Sequence, residues 1–496
     1  MAKSIREIAA YLPRAEIKGE IEQLITTITP DSRSVGPGAL FVALSGSKVD
    51  GHDYVDAACR QGAIAVLVEK EVTVGPNVTV IKVTDTRAAM QLVAPYFFDY
   101  PSRKLRLIGI TGTNGKTTTT HLVRAILMRA SFRTGLIGTI HNLIDQRVLP
   151  VKNTTPDVID LQSLFADMVA EGVEYAIMEV SSHALALGRV SGCEFDVGAF
   201  TNLTRDHLDF HGTFDNYCKA KAALFQSLGA DGSIKANKTA VVNVDDPAGE
   251  TMLKSCNCRT ISYGVERQAD LMAQDINIRS DGAAFSIKGS FGIMPLNLKL
   301  TGVFNVYNVL AAVGIALAEG VTPDVIKAAL EEFESVPGRF ELVEAGQPFA
   351  VIVDYAHTPD GLENILKTAR QIADNRIIVV FGCGGDRDRT KRPIMGKLAM
   401  DYGDVVIATS DNPRSEDPVS ILREIETGLK EGMTNDKSYK IIVERRDAIA
   451  HALGIANKGD VVIIAGKGHE TYQILGDKTI NFDDREIARQ IIGEMR

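Results

Sequence analysis

Leu105-Arg106-Leu107-Ile108-Gly109-Ile110-Thr111 runs without a break into Gly112-Thr113-Asn114-Gly115-Lys116-Thr117-Thr118. The apolar run predicts a buried strand, and the glycine-bounded turn opens a helical pattern. Glycines let backbone N–H groups approach phosphate oxygens, and a helix N-terminus adds positive dipole. Lys116 is placed to neutralise β- and γ-phosphates, and Thr117 to ligate Mg²⁺. The strict G-x-x-x-x-G-K-[ST] pattern is not met, because position 110 is Ile. The loop reads as a shorter-spaced relative. Alone it indicates only a nucleotide, so a GTPase, a kinase, an ATPase and a ligase all stay open.

Helical and strand patterns alternate from this loop to about Asp246, which predicts a mostly parallel sheet. Strands are expected at Tyr175–Val180 and Asp196–Thr201. The first ends in Glu179-Val180-Ser181-Ser182-His183, and the second leads into Asn202-Leu203-Thr204-Arg205-Asp206-His207-Leu208-Asp209. Ligands bind at the C-terminal ends of parallel strands. Glu179 and His207 are therefore expected beside Lys116, with Glu179 holding Mg²⁺ against a triphosphate. His183 and His211 read as structural histidines. Residues 268–300 alternate apolar and polar around Ser-Asp-Gly and Lys-Gly-Ser turns, predicting antiparallel hairpins. Helices follow at about 305–319 and 322–334.

The whole chain reads as α/β with three domains. Residues 1–98 form an N-terminal α/β unit, with strands at Leu40–Leu44 and Ala63–Val68 and a helix at Tyr54–Gln61. Residues 99–336 form the central P-loop ATPase-like unit. Residues 337–496 form a Rossmann-like unit, with strands at Phe349–Val353, Ile377–Phe381, Val405–Thr409, Ile441–Val443 and Val461–Ala465. Tyr100-Pro101-Ser102 and Pro337-Gly338 read as the linkers.

Composition agrees. The 496 residues are 45% hydrophobic and 24% charged, enough for several cores. A net charge of -9 argues against a general nucleic-acid binder and leaves anionic small substrates open. The N-terminus has no apolar signal region, and no apolar run approaches the ~20 residues of a membrane helix. A cytoplasmic monomer is expected. Of six cysteines only Cys256 and Cys258 are close, and C-x-C is not a usual zinc spacing. Reduced thiols are expected.

GTNGKTT, EVSSH and NLTRDHLDFHG are followed in order by NVYN (Asn305–Asn308), PGRFE (Pro337–Glu341) and DYAHTPD (Asp354–Asp360). Together they resemble the Mur ligase family over nearly the whole chain. The resemblance implies an ATP- and Mg²⁺-dependent, ADP-forming ligase of peptidoglycan precursor synthesis. Its branch adds meso-diaminopimelate to the D-Glu of UDP-MurNAc-L-Ala-D-Glu through an acyl phosphate. It implies that Ser32, Ser47 and Lys48 meet the sugar nucleotide. Gly112 to Thr118, Asn305, Arg339 and Asp354 would meet ATP. Asn153, Thr154, Thr155, Ser181 and Arg189 would hold the muramoyl dipeptide. Lys116, Glu179, His207 and Lys221 form the implied catalytic set, with Lys221 carbamylated to hold a second Mg²⁺ alongside Thr117, Glu179 and His207. From the residues alone, Lys221 is a helical surface lysine, Asn305 a cap of its own helix, and Asn153-Thr154-Thr155-Pro156 a helix start.

Asp411-Asn412-Pro413-Arg414, Arg387, Gly466 and Glu470 are implied to hold the amino acid. Diaminopimelate differs from lysine by a distal carboxylate, which a guanidinium fork binds bidentately. Glu470 would take the distal ammonium. By itself Arg414 reads as a turn arginine in a surface ion pair. The alternatives are a lysine-adding member, a D-Ala-D-Ala-adding relative, folylpolyglutamate synthase or, in another class, a nucleotide-binding regulatory module.

Overall fold

The computed structural model describes residues 2–46, 49–230 and 233–495. Three large sheets follow one another along the chain, beside two-stranded pairings of Lys3–Ser4 with Leu24–Ile25 and of Tyr472–Leu475 with Lys478–Asn481. In the first, Thr27–Thr29, Ala39–Val42, Ala63–Val68 and Thr79–Lys82 run parallel, with Glu16–Lys18 antiparallel at the edge. Ala63–Val68 is a continuous apolar run because both faces of a parallel sheet are covered. The helix expected beside it forms at Val55–Arg60.

The second sheet has eleven strands. Arg106–Thr111 lies between Tyr175–Glu179 and Val197–Phe200, parallel to both. Thr134–Ile137 flanks on one side, Thr239–Asn243 and Arg259–Gly264 on the other. The hairpins expected at 268–300 form as Leu271–Arg279, Gly282–Gly289 and Gly292–Leu298. At the opposite edge the hairpin Asn142–Ile144 with Arg147–Leu149 was not foreseen. Its three-residue strands are too short to show a period. The helices arrive at Val303–Ala318 and Pro323–Glu332. The first is apolar on nearly every side, as a helix packed against both a sheet and a neighbouring helix must be.

In the third sheet Ala350–Asp354, Ile377–Phe381, Val405–Ala408, Ser438–Ile441 and Val461–Ala465 are parallel, and Glu341–Leu342 is antiparallel at the edge. The strand expected at Ile441–Val443 lies at Ser438–Ile441 instead. It pairs on one side only, so its exposed positions are polar and the apolar run marks its end.

Two further expectations change. The Tyr100–Ser102 linker is a seated 3₁₀ turn, Pro101–Lys104, with Pro101 and Ser102 buried and Ser102 Oγ donating to Gly192 O at 3.1 Å. Cys256 and Cys258 are paired as a disulfide across Asn257, with Cα atoms 5.6 Å apart; the tight turn after the helix Gly249–Ser255 brings them together. The other four cysteines are free, as expected. Among the described residues no helix is long and apolar enough to cross a membrane.

Candidate active site

The order of the central strands decides which loops meet. The turn after Arg106–Thr111 carries the phosphate loop, and the turns after its two neighbours carry Glu179 and the 202–209 segment. Gly112 and Gly115 are required by closeness: a Cβ at Gly112 would lie 1.8 Å from Thr201 Oγ1, and one at Gly115 2.3 Å from Asn308 Oδ1. Asn114 N donates to Asn202 Oδ1 at 2.9 Å, and Thr113 Oγ1 pairs with Tyr217 OH at 3.0 Å. Thr117 and Thr118 are buried in the first turn of the helix Lys116–Arg129.

Lys116 Nζ donates to the carbonyls of Gly112 (2.9 Å) and Thr113 (2.8 Å). Lys221 Nζ donates to the same Gly112 carbonyl at 2.8 Å. Lys221 lies on the helix Phe214–Leu228 and is 1% exposed, so the surface reading is corrected: its turn of helix faces the loop across the sheet end. Burial pushes its ammonium well below the ordinary lysine value, and Lys116 adds to this. Burial also lowers Lys116, against the pull of Glu179 and Asp206. Neither lysine has an ion-pair partner among the described residues.

Glu179 is buried and fully engaged. Its Oε2 accepts from Thr117 Oγ1 and Thr139 Oγ1, both at 3.1 Å, and its Oε1 accepts from Thr139 N at 2.8 Å. His207 stands at φ +53°, with Nε2 3.3 Å from Asp206 Oδ2 and its ring 4.7 Å from that of His183. Burial pushes it down to about 4 although Asp206 pulls the other way and its outer edge meets solvent, so the imidazole is neutral at pH 7. Among the described residues no three His, Cys, Asp or Glu side chains converge as a preformed metal cage. A Mg²⁺ ion on a triphosphate takes one or two protein oxygens and completes its shell with water and phosphate. Glu179 and Thr117 fit that part.

The third unit reaches into this site. Arg339 Nη2 donates to Thr117 Oγ1 at 3.1 Å, and its guanidinium lies 4.5 Å over the Tyr355 ring. Asp360 accepts from Asn114 Nδ2. Asp354 uses both oxygens on backbone N–H groups, of Phe340 (2.6 Å) and Ala356 (2.7 Å), and burial raises it. Asn305 is not a cap. Gly302 caps the helix, and Asn305 bridges Thr301 O (2.9 Å) and Asn308 Nδ2 (3.0 Å).

Thr154, Thr155, Ser181 and Arg189 come together beside Glu179. Thr155 Oγ1 donates to Glu179 O at 2.8 Å and accepts from Ser181 N at 3.0 Å. Arg189 Nη1 donates to Thr155 O at 3.1 Å, and Thr154 Oγ1 pairs with Thr139 Oγ1 at 3.1 Å. Asn153 is exposed next to them. The 153–156 stretch is a loop rather than a helix start, because the helix begins at Val158 after Asp157. Ser32 sits apart, half-buried in the 3₁₀ turn Ser32–Ser34. Ser47 and Lys48 lie outside the described residues.

A cleft opens between the 206–209 segment and the third sheet. Arg387, Asp411, Asn412, Arg414, Gly466 and Glu470 all line it, with His357 and Lys391. Pro413 lies behind the lining, packed on Gly385, where a Cβ would come within 1.9 Å of Pro413 O. Arg414 is in no ion pair among the described residues; its Nη1 donates to Gly385 O at 2.8 Å. The surface-pair reading is thereby corrected, because φ +53° and backbone bonds to Ile474 and Gly476 turn it into the cleft wall. Arg387 is exposed. Glu470 Oε2 already accepts from Asn412 Nδ2 (2.8 Å) and the fully buried Lys467 Nζ (3.1 Å).

Thr139, Asn202, Asn308 and Asp360 were missed. Asp360 stands in the DYAHTPD motif, which was a usable signal; Thr139 has none. His183 and His211 keep their structural reading in part: His211 Nε2 pairs with Ser182 Oγ at 3.0 Å, while His183 packs on His207.

A phosphate loop backed by a carboxylate, facing a charged cleft on a separate Rossmann-like unit, defines an ATP-dependent ligase. Three family descriptions match in chain order: Mur ligase family, catalytic domain (24–97), Mur ligase middle domain (110–316), and Mur ligase, glutamate ligase domain (338–468). The chain belongs to the Mur ligase family, whose members are ATP-dependent, ADP-forming ligases. It is 50% identical over 472 residues to UDP-N-acetylmuramoyl-L-alanyl-D-glutamate--2,6-diaminopimelate ligase of Geobacillus thermodenitrificans, covering 95% of this chain and 96% of that one. The namesake from Bacillus velezensis is 50% identical over 492 residues, 99% of each chain. A solved structure of a ligase of the same name superposes with a TM-score of 0.69 at 34% identity, covering 100% of this chain and 99% of that one.

Proposed function

We propose that this chain catalyses the reaction of the MurE branch: addition of meso-diaminopimelate to the D-Glu carboxylate of UDP-MurNAc-L-Ala-D-Glu, with ATP cleaved to ADP and phosphate. Residues 1–98 would take the sugar nucleotide, 99–336 ATP and 337–496 the amino acid, in a cytoplasmic monomer. Support comes from the two full-length relatives of that name and from the cleft. The observation that carries the choice of amino acid is Arg414, a cleft guanidinium in no ion pair among the described residues. A distal carboxylate would supply one.

The D-Glu carboxylate oxygen attacks the γ-phosphorus and ADP leaves, giving an acyl phosphate. Both reactants are anions, so the approach needs positive charge. Lys116, now resting on two carbonyls, would swing to the phosphates, and Arg339 lies at the same threonine. Mg²⁺, held by Thr117 and Glu179, would neutralise phosphate charge. Asn305 and Asp354 would order the nucleotide, and Asn153, Thr154, Thr155, Ser181 and Arg189 the dipeptide. The amino acid's amine attacks the activated carbonyl carbon, loses a proton, and phosphate departs. Closure of the third unit keeps out water that would hydrolyse the acyl phosphate.

Lys221 fits carbamylation. The reaction joins a neutral amine to CO₂ and releases one proton, and burial of Lys221 disfavours its ammonium relative to the amine that reacts. The product is an anion which, with His207, would hold a second Mg²⁺.

The test is phosphate release from ATP with UDP-MurNAc-L-Ala-D-Glu, adding meso-diaminopimelate or L-lysine in parallel. Release with diaminopimelate alone and a tripeptide product by mass is expected. Release with lysine alone would discard the reading of Arg414. Release without either amino acid would point to a nucleotide-hydrolysing regulatory module.

A further inference from the structure

Arg445, the first residue of the helix Arg445–Ile455, is 1% exposed and uses its guanidinium in three directions. Nε and Nη2 donate to Asp484 Oδ1 and Oδ2 at 2.8 and 2.7 Å. Nη2 also donates to Ala465 O at 3.0 Å. Among the described residues Nη1 has no hydrogen-bond partner, and it comes within 4.0 Å of Asp411 Oδ2. An unmet buried N–H group is rare, and this one is aimed at a residue lining the cleft.

Both contacts lie at strand ends. Ala465 ends Val461–Ala465, and Asp411 follows Val405–Ala408; the strand Ile377–Phe381 separates the two. The turns beyond them are the Gly466–Glu470 and Asp411–Arg414 segments. They touch, since a Cβ on Gly466 would lie 2.5 Å from Asp411 Oδ2. Asp411 Oδ1 is held by Asn412 N at 2.6 Å, which leaves Oδ2 between Gly466 and Arg445.

We propose that Arg445 is a positioning residue for the incoming amino acid: its guanidinium sets the Asp411 carboxylate and the Gly466 turn in mutual register from behind the cleft. This rests on the cleft being the amino-acid site. A guanidinium is required, because only its planar fork serves Asp484, Ala465 and Asp411 at once. Asp484 anchors the fork, as supporting groups behind a site commonly do.

The experiment measures KM for ATP, for the sugar nucleotide and for whichever amino acid the wild-type enzyme uses, together with Tm. Two variants are compared, Arg445→Lys and the double Arg445→Met/Asp484→Leu. The double variant removes the pair without stranding a buried charge, a change that folded proteins often tolerate. Expected is a rise of about tenfold or more in KM for the amino acid in both, with the other two KM values within about twofold and the double variant's Tm near wild type. A folded double variant with wild-type KM for the amino acid, or an equal rise in all three KM values, would overturn the inference and leave the proposed reaction standing. A wild-type enzyme that uses neither diaminopimelate nor lysine would overturn both.

Discussion

The phosphate loop and the amino-acid cleft both bury cations, and they treat them oppositely. Lys116 and Lys221 rest on backbone carbonyls, with no carboxylate in ion-pair contact among the described residues. Behind the cleft the buried cations of the described residues each have a carboxylate: Arg392 has Glu416 and Glu424, Arg445 has Asp484 on two of its three nitrogens, and Lys467 has Glu470. An unmatched buried ammonium is costly and shifts toward neutrality, whereas a paired one is complete without a ligand. The difference matches the proposed ligands. A triphosphate brings several negative charges and needs free positive ones, while a zwitterionic amino acid brings equal numbers of each. In the cleft lining itself Arg387, Lys391 and Arg414 are in no ion pair among the described residues and donate to backbone carbonyls, which leaves positive charge there for an anionic group.

The comparison breaks first at Lys116. Lys116→Ala should lower turnover by about 10²–10³-fold or more while circular dichroism stays native. Normal turnover would remove the loop from phosphate binding. Next is Asp484→Ala, which strands Arg445 in the interior and should cost about 3–5 kcal/mol of stability by denaturant titration. A loss no larger than that of a surface substitution would show that the pairing behind the cleft is not needed.

Arg414→Ala should reduce kcat/KM for diaminopimelate by about 2–5 kcal/mol of transition-state binding, leaving KM for ATP unchanged. Lys221→Met should abolish the proposed carbamate and so most activity, yet raise Tm at pH 7 in CO₂-free buffer by about 2 °C or more. The sign follows from linkage. The folded lysine is depressed well below its unfolded value of about 10.4, so the unfolded chain binds more protons in the pH window between the two. Wild-type stability therefore rises with pH from the depressed folded value toward about 10.4, and the variant should lose that slope. A lower Tm for the variant would mean that Lys221 is satisfied as it stands. The smallest effect is expected at the exposed Lys254–Glu250 pair, where Lys254→Ala should leave Tm unchanged within error.

Much of this architecture is written locally. The strand, turn and helix around Gly112–Lys116 depend on a short apolar run and two glycines whose close neighbours admit no side chain. The hairpins at 271–298 follow from alternation, and the strands near 351, 379, 406 and 463 from uninterrupted apolar runs. Such signals survive because each is set within a few residues. The edge strand Ser438–Ile441 and the hairpin at 142–149 lack them, since an edge needs only one apolar face and three residues show no period.

By itself the sequence determined the three units, the phosphate loop and, through ordered motifs, the residues that surround it. The tertiary structure alone decided that Lys221 is buried against Gly112, that Asp360 and Arg339 cross from the third unit to the loop, and that Arg445 stands behind Asp411. It also decided that Val158 and Ile159 of the central unit complete the core of the first. The physical reason is common to all four. Backbone conformation and apolar periodicity are short-range properties of the chain. Burial of a charge and contact between strand ends depend on the order of strands in a sheet, which joins residues up to hundreds of positions apart.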